Sequence, residues 1–144
     1  MVALTARFLH VLAAMTWIGG MLFISLVLAP VVRGLPDPAA RARLVHEIGV
    51  RFRMVGWIAL SLLLASGLAN LWVRPYLLDV PRFHVKLGLV VLALALSAVH
   101  DFVVGPRAGA PGADPAIRRR ASWLARMNVI IVLAIVALGL ALRG

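Results

Sequence analysis

Long apolar runs separated by charged residues dominate this chain. Phe8–Val32 and Met54–Val73 contain no Asp, Glu, Lys or Arg. Two further runs, at about 83–104 and 121–142, contain only isolated charges. A helix that spans a bilayer needs about 20 predominantly apolar residues, and all four runs reach that length. The pattern therefore predicts four membrane-spanning helices, at about 5–32, 52–73, 82–104 and 121–142.

The connections between these runs are short and rich in Gly and Pro. Short connections make consecutive helices antiparallel neighbours. We therefore expect an all-α fold, an integral membrane four-helix up-down-up-down bundle that forms a single transmembrane domain over residues 1–144. The charged stretch 41–47 in the first connection is predicted to form a short interfacial helix. The first run is too long for a removable signal peptide, and three more spans follow it.

The composition agrees with a membrane protein. Of the 144 residues, 63% are hydrophobic and 14% charged, whereas about a quarter of the residues in a soluble domain are charged. The absence of cysteine excludes a disulfide scaffold. The net charge of +10 does not indicate nucleic-acid binding, because a chain this apolar has no polar surface for it. The predicted partner is the lipid bilayer.

The basic residues also predict an orientation. Ten of the fifteen Lys and Arg side chains flank the first and third connections, and five flank the opposite helix ends. Lys and Arg accumulate on the cytoplasmic side of membrane proteins. We therefore expect a multi-pass protein of the cytoplasmic (inner) membrane, with both termini on the outer side.

The sequence contains a faint internal repeat. Residues 7–10 (Arg-Phe-Leu-His) open the first helix, and 82–84 (Arg-Phe-His) open the third. Arg-Met at 53–54 and at 126–127 opens the second and fourth helices, at nearly the same spacing along the chain. Two similar hairpins would place the histidines of the first pair across a pseudo-two-fold axis along the membrane normal. The alternative is that arginine simply marks helix ends.

The four histidines are the first candidates for chemistry, because ionisable residues inside a bilayer are costly and usually functional. His10 and His84 are predicted toward the outer side, and His46 and His100 toward the cytoplasmic side. Two imidazoles from different helices are typical of haem b bound in a membrane bundle. We therefore predict a haem held by His10 and His84, with Lys86 as the alternative to His84. His46 and His100 form a predicted second, inner metal site.

Further residues complete the predicted haem site. Arg7, Arg82 and Lys86 lie where they would neutralise the haem propionates at the outer mouth. Trp17 shares a face of the first helix with His10, by the helical repeat of about 100° per residue. We include it among the predicted cofactor-binding residues.

Other chemistries remain as alternatives. Methionine sulfur and His10 are donors that suit copper, although the sequence has no Met-x-x-Met motif and no cysteine pair. A plainer alternative is a small membrane subunit that packs against partner helices, with its histidines as polar anchors. Hydrolytic chemistry is not favoured, because Asp101 directly follows His100 and their side chains are expected to diverge by about 100°.

Several motifs resemble a known family. Residues 9–14 (Leu-His-Val-Leu-Ala-Ala), then 17–20 (Trp-Ile-Gly-Gly) and 28–30 (Leu-Ala-Pro), resemble the first helix of the copper-resistance protein D (CopD) superfamily. Residues 83–87 (Phe-His-Val-Lys-Leu) and 98–100 (Ala-Val-His) look like the third helix of its HemJ branch. The resemblance implies a four-helix membrane protein associated with haem b and with oxidation of protoporphyrinogen IX to protoporphyrin IX.

By this likeness, His10 and Lys86 match positions taken as essential in HemJ proteins, which makes them candidate catalytic residues. His100 matches a recurrent histidine of that branch. The fourth helix departs from it, since Asn128 is followed by Val-Ile at 129–130, without the Glu and Pro typical of HemJ.

These observations together lead to one expected function. The chain is predicted to bind haem b and to have an electron-transfer or protoporphyrinogen oxidase-like role, with a redox partner. The alternative is a copper transport or copper-tolerance protein without enzyme activity. A homodimer is also expected, because a four-helix bundle has little interior once a macrocycle occupies it.

Overall fold

The structure, a computed structural model, describes residues 1–110 and 112–141, apart from the side chain of Val2. Within these residues the chain is almost wholly helical and contains no strand. Four helical stretches, here called the first to fourth spans, are long and apolar enough to cross a membrane. They are Ala3–Arg33, Pro38–Val73, Pro81–Ala108 and Pro115–Ala141. The prediction of an all-α protein with four membrane-spanning helices is confirmed.

The chain divides into two compact units, Met1–Leu77 and Leu78–Gly144. Each unit is a helical hairpin whose two spans pack against each other. The first hairpin consists of α1 (Val2–Phe23), a π-helical segment (Ile24–Leu28), α2 (Ala29–Arg33) and α3 (Pro38–Val73). A 3₁₀ turn (Pro75–Asp79) follows. The second hairpin consists of α4 (Pro81–Ala98), a π-helical segment (Val99–Val104), α5 (Gly105–Ala108) and α6 (Pro115–Ala141).

In both hairpins the π-helical segment ends two residues before a proline. The residue after each segment donates its backbone N–H to the carbonyl oxygen five residues earlier. Pro30 and Pro106 come next in the sequence. A proline ring inside a helix collides with the carbonyl four residues before it, and the wider π turn relieves this collision. The two segments begin at Ile24 and Val99. These positions are as far apart in the sequence as Arg7 and Arg82, the arginines of the repeated Arg-Phe motif.

The second span of each hairpin begins with the sequence Asp-Pro-Ala. Asp37 Oδ1 accepts a hydrogen bond from the backbone N–H of Ala39 at 2.9 Å, and Asp114 Oδ1 accepts one from Ala116 at 2.7 Å. An Asp cap followed by Pro in the first helical position is a strong helix start. The two hairpins therefore share this start as well as the π-helical segment, which supports the internal repeat.

The second span starts earlier than its predicted bounds. α3 begins at Pro38 rather than near 52, and the stretch 41–47 is continuous with it instead of forming a separate interfacial helix. At a rise of about 1.5 Å per residue, its 36 residues extend over about 54 Å, against about 30 Å for the hydrocarbon core. Its charged first turns therefore extend beyond the apolar layer. The fourth span likewise starts at Pro115 rather than 121, and residue 142 lies outside the described residues.

Small residues bring α1 and α3 close together in the first hairpin. Ala13 and Trp17 of α1 are buried. Gly56 of α3 lies behind the indole, where an added Cβ would be 3.7 Å from Trp17 Cδ1. The ring of Phe52 occupies the space in which Gly20 would otherwise carry a side chain. The face of α1 that carries Trp17 is therefore the face that packs on α3.

A buried polar pair lies between the two spans of the second hairpin. Asn128 Nδ2 of α6 donates a hydrogen bond to Ser97 Oγ of α4 at 2.9 Å. Both residues are buried, and Ala93 and Val132 are buried one turn away from them on the same two helices. Small and polar residues are typical of contacts between membrane helices, where apolar side chains gain little by leaving lipid.

Candidate functional site

His10 is held against α3 by its Nδ1 atom. This nitrogen lies 3.1 Å from the carbonyl oxygen of Leu63 and 3.0 Å from Ser66 Oγ. The Ser66 hydroxyl donates to the carbonyl oxygen of Leu62 at 2.6 Å, so it acts as an acceptor toward the imidazole. Because both partners of Nδ1 are acceptors, the neutral ring carries its proton on Nδ1 and its lone pair on Nε2.

Neighbouring residues of α3 complete this seat for the imidazole. An added Cβ at Gly67 would lie 3.5 Å from His10 Cε1, so the glycine lets the ring approach the helix backbone. Asn70 Nδ2 donates to the carbonyl oxygen of Ser66 at 2.9 Å and reaches that of Ala6 at 3.5 Å. Ser66 is itself buried. These contacts with His10 cannot be derived from the sequence alone, because only the tertiary packing brings the two helices together.

The other predicted site residues of the first hairpin are separated along it. Trp17 is buried in the α1–α3 contact, two turns from His10. Arg7 is exposed one turn before His10. His46 is exposed on α3 and, by the helical rise per residue, lies about 26 Å along that helix from Leu63. The structure therefore brings Trp17 and His10 onto one packed face and places His46 near the other end of the hairpin.

In the second hairpin Lys86, rather than His84, lies in the contact between the helices. Lys86 is half-buried on α4, and an added Cβ at Gly139 of α6 would lie 3.4 Å from its Nζ atom. His84 and Arg82 are both exposed. Lys86 thus lies beside a glycine of the neighbouring helix, as His10 does in the first hairpin.

His100 and Asp101 lie in ion-pair geometry, although their side chains were predicted to diverge. His100 Nδ1 and Asp101 Oδ1 are 2.8 Å apart, and the two side chains are 34% and 25% exposed. The expected divergence of about 100° was wrong, because this stretch is a π-helical segment and the two short side chains turn toward each other. The π-helical segment leaves no room for a side chain at Gly105. A Cβ there would lie only 2.7 Å from the His100 carbonyl oxygen.

The described part of the chain contains no group of three or more His, Cys, Asp or Glu side chains that could together hold a metal ion. Structural metal sites built from protein ligands alone need about four donors. Haem iron, by contrast, takes only its axial ligands from the protein. His10, whose Nδ1 is held by the Leu63 carbonyl oxygen, is a donor of the kind that haem takes.

Four apolar helices whose large apolar side chains are mostly exposed define a multi-pass membrane protein. The chain belongs to the CopD family, whose model, described as "Copper resistance protein D", matches residues 46–142. The predicted resemblance to CopD is confirmed. The matched stretch includes His46, His84, Lys86 and His100, whereas His10 precedes it.

A similar protein occurs in Aquifex aeolicus (strain VF5), where it is described as "Uncharacterized protein". It is 37% identical over 140 residues, which cover 94% of this chain and 92% of the relative. No solved structure matches the chain. The likeness to the HemJ branch stays a prediction.

Proposed function

We propose that this chain binds haem b in the membrane, that His10 would hold its iron, and that the protein transfers electrons or oxidises a porphyrin. The observation that carries the proposal is the contact between His10 Nδ1 and the Leu63 carbonyl oxygen at 3.1 Å. A histidine that ligates a metal almost always donates its second ring N–H to a carbonyl, a carboxylate or water. This bond fixes the tautomer with its lone pair on Nε2, the atom that would face the iron.

The residues around His10 have distinct roles in this proposal. Leu63 and Ser66 orient the imidazole, and Gly67 leaves room for it. Trp17 supplies a buried apolar wall on the same helix. Arg7, which is exposed one turn before His10 on that helix, would pair with a propionate. Bound haem would supply one-electron redox chemistry at its iron.

The remaining predicted residues have proposed roles that are still to be tested. His84 or Lys86 would be the second residue to hold the haem, and Arg82 would pair with a second propionate. In an oxidase that resembles HemJ, His10 and Lys86 would be the catalytic residues, and a redox partner would accept the electrons. His46 and His100 stay the proposed inner site. Inner-membrane location, outward-facing termini and a homodimer belong to the same proposal.

An optical spectrum of detergent-purified protein from haem-replete cells tests the proposal. We expect a Soret band in the wild type and its loss in His10→Ala. Thr16→Ala is the matched control, because it truncates an exposed polar side chain of the same helix that bonds only to that helix's own backbone, and it should leave the band intact. A colourless wild type, or a His10→Ala protein with an unchanged band, would contradict haem ligation by His10. If haem is present, turnover of protoporphyrinogen IX separates an oxidase from an electron carrier.

Copper handling is the second candidate, favoured by the description of the family model. His10 and the sulfur atoms of Met15 and Met21 on the same helix are donors that suit copper. Metal analysis of the same preparation distinguishes the two candidates. One copper per chain without haem, lost in His10→Ala, would favour a copper transport or copper-tolerance protein.

A further inference from the structure

A groove lies between the two spans of the second hairpin, at the end where the third connection joins them. It is lined by Val104 from the π-helical segment and by Arg119, Arg120, Trp123 and Leu124 from α6. Its volume is about 390 Å³ and it is open to the surroundings. The lining surface is apolar, so the two arginines contribute the methylene parts of their side chains.

The guanidinium groups at the edge of this groove have no acidic partner in the described part of the chain. Arg119 and Arg120 are exposed, and no carboxylate there forms a salt bridge with either of them. The acidic residues nearest in sequence are already engaged. Asp114 caps α6 through Ala116, and Asp101 pairs with His100. The groove therefore combines an apolar interior with two uncompensated positive charges at its edge.

This combination selects one kind of ligand. An inorganic anion would pair with the arginines and leave the apolar interior empty. A neutral lipid would cover the interior and leave the guanidinium groups without a counter-charge. A phospholipid with a net negative headgroup satisfies both, because basic pockets between membrane helices bind such headgroups. Trp123 is 58% exposed beside the groove, as is typical of tryptophan at the level of the headgroups.

We propose that this groove is a binding site for an anionic phospholipid. The phosphate pairs with Arg119 and Arg120, and an acyl chain lies against Val104, Trp123 and Leu124. The site belongs to the second hairpin alone and does not depend on haem or copper binding.

Quenching of Trp123 fluorescence by brominated lipids tests this site. The full chain is reconstituted in phosphatidylcholine vesicles that contain a minor fraction of either phosphatidylglycerol or phosphatidylcholine with brominated acyl chains. The Trp123 signal is the difference between the wild type and Trp123→Phe. We expect stronger quenching by brominated phosphatidylglycerol. Arg119→Gln/Arg120→Gln should remove most of this preference, because the charge-assisted hydrogen bonds of both guanidinium groups to the phosphate are lost.

The matched control is Arg107→Gln/Arg118→Gln. It removes two exposed positive charges close by that do not line the groove, and most of the preference should remain. Equal loss in both double variants would mean a diffuse attraction and overturn the proposal. Equal quenching of the wild-type Trp123 signal by the two brominated lipids would also overturn the proposal. This measurement requires only the wild type and Trp123→Phe. Loss of quenching as the protein-to-lipid ratio rises would mean that a second copy covers the groove, which also overturns it.

Discussion

His10 and Ser66 lie on facing helices of the first hairpin, with His10 Nδ1 3.0 Å from Ser66 Oγ. The serine hydroxyl in turn donates to the Leu62 carbonyl oxygen, so α3 supplies a fixed acceptor to the imidazole. Polar contacts between membrane helices contribute modestly to stability. The contact with Ser66 matters here because it orients the Nδ1 atom of His10.

Ser66→Ala should weaken cofactor binding without abolishing it. The Leu63 carbonyl oxygen still accepts from Nδ1, so the tautomer persists while the ring loses one of its two restraints. Removing a partner of a metal-ligating histidine typically lowers metal affinity by about 10- to 100-fold. Titration of haem into the apoprotein measures this change. Ser61→Ala, at an exposed position of the same helix, should bind haem like the wild type, and an equal effect of both substitutions would contradict the role of Ser66.

Gly105→Ala should destabilise the second hairpin. Its new Cβ would lie 2.7 Å from the backbone carbonyl oxygen of His100, which cannot move without deforming the π-helical segment. Forcing extra volume into a packed site typically lowers the free energy of unfolding by about 1–3 kcal/mol. Unfolding in mixed micelles with increasing SDS measures the difference. Gly88→Ala meets nothing within 4 Å and should be close to neutral; similar losses for both would contradict this account.

Ser97 and Asn128 should be energetically coupled. Their hydrogen bond of 2.9 Å is buried between α4 and α6. Double-mutant cycles on membrane proteins give about 0.6 kcal/mol for such bonds, with a maximum of about 1.7 kcal/mol. We expect a coupling energy in this range between Ser97→Ala and Asn128→Ala, from the same unfolding experiment. Pairing Asn128→Ala with Ser25→Ala, at an exposed position, should give additive effects, and additivity in both cycles would contradict the coupling.

The number and class of the helices could be predicted from the sequence because lipid imposes a simple constraint. A spanning segment must be helical and continuously apolar over about 20 residues, and the charges at Arg7, Arg33, Arg53 and Arg74 mark where such segments end. The start of α3 at Pro38 was missed because its first turns extend beyond the apolar layer, where hydropathy carries no information. The Asp-Pro-Ala sequence at 37–39 was the signal that could have found it.

The contacts of the candidate site could be predicted only in part. The helical repeat correctly placed His10 and Trp17 on one face of α1, but the partners of His10 on α3 depend on how two helices pack. The pairing of His100 with Asp101 was missed because a regular helix was assumed. Gly105-Pro106, immediately after that segment, was the local signal of a widened turn.

Single-cysteine labelling should determine the orientation, since the chain contains no cysteine. Leu78→Cys lies in the second connection and Ala110→Cys in the third, and both positions are exposed. If basic residues set the topology as predicted, a membrane-impermeant maleimide added to intact cells should label the first and leave the second unlabelled. Lysed cells are the control, in which both should react. Labelling of Ala110→Cys alone in intact cells would reverse the predicted orientation.

Lys86 should matter more than His84 to the cofactor. Lys86 lies half-buried beside Gly139, whereas His84 is exposed. Lys86→Leu keeps an apolar side chain at this position and removes the amino group, leaving no atom that can bind iron. We expect this substitution to change the haem spectrum, or to abolish porphyrinogen oxidation if the protein is an oxidase, while His84→Ala leaves both unchanged. Unfolding in SDS should show whether Lys86→Leu remains as stable as the wild type, so that a spectral change reflects the cofactor. A spectrum altered by His84→Ala and untouched by Lys86→Leu would assign the role to His84 instead.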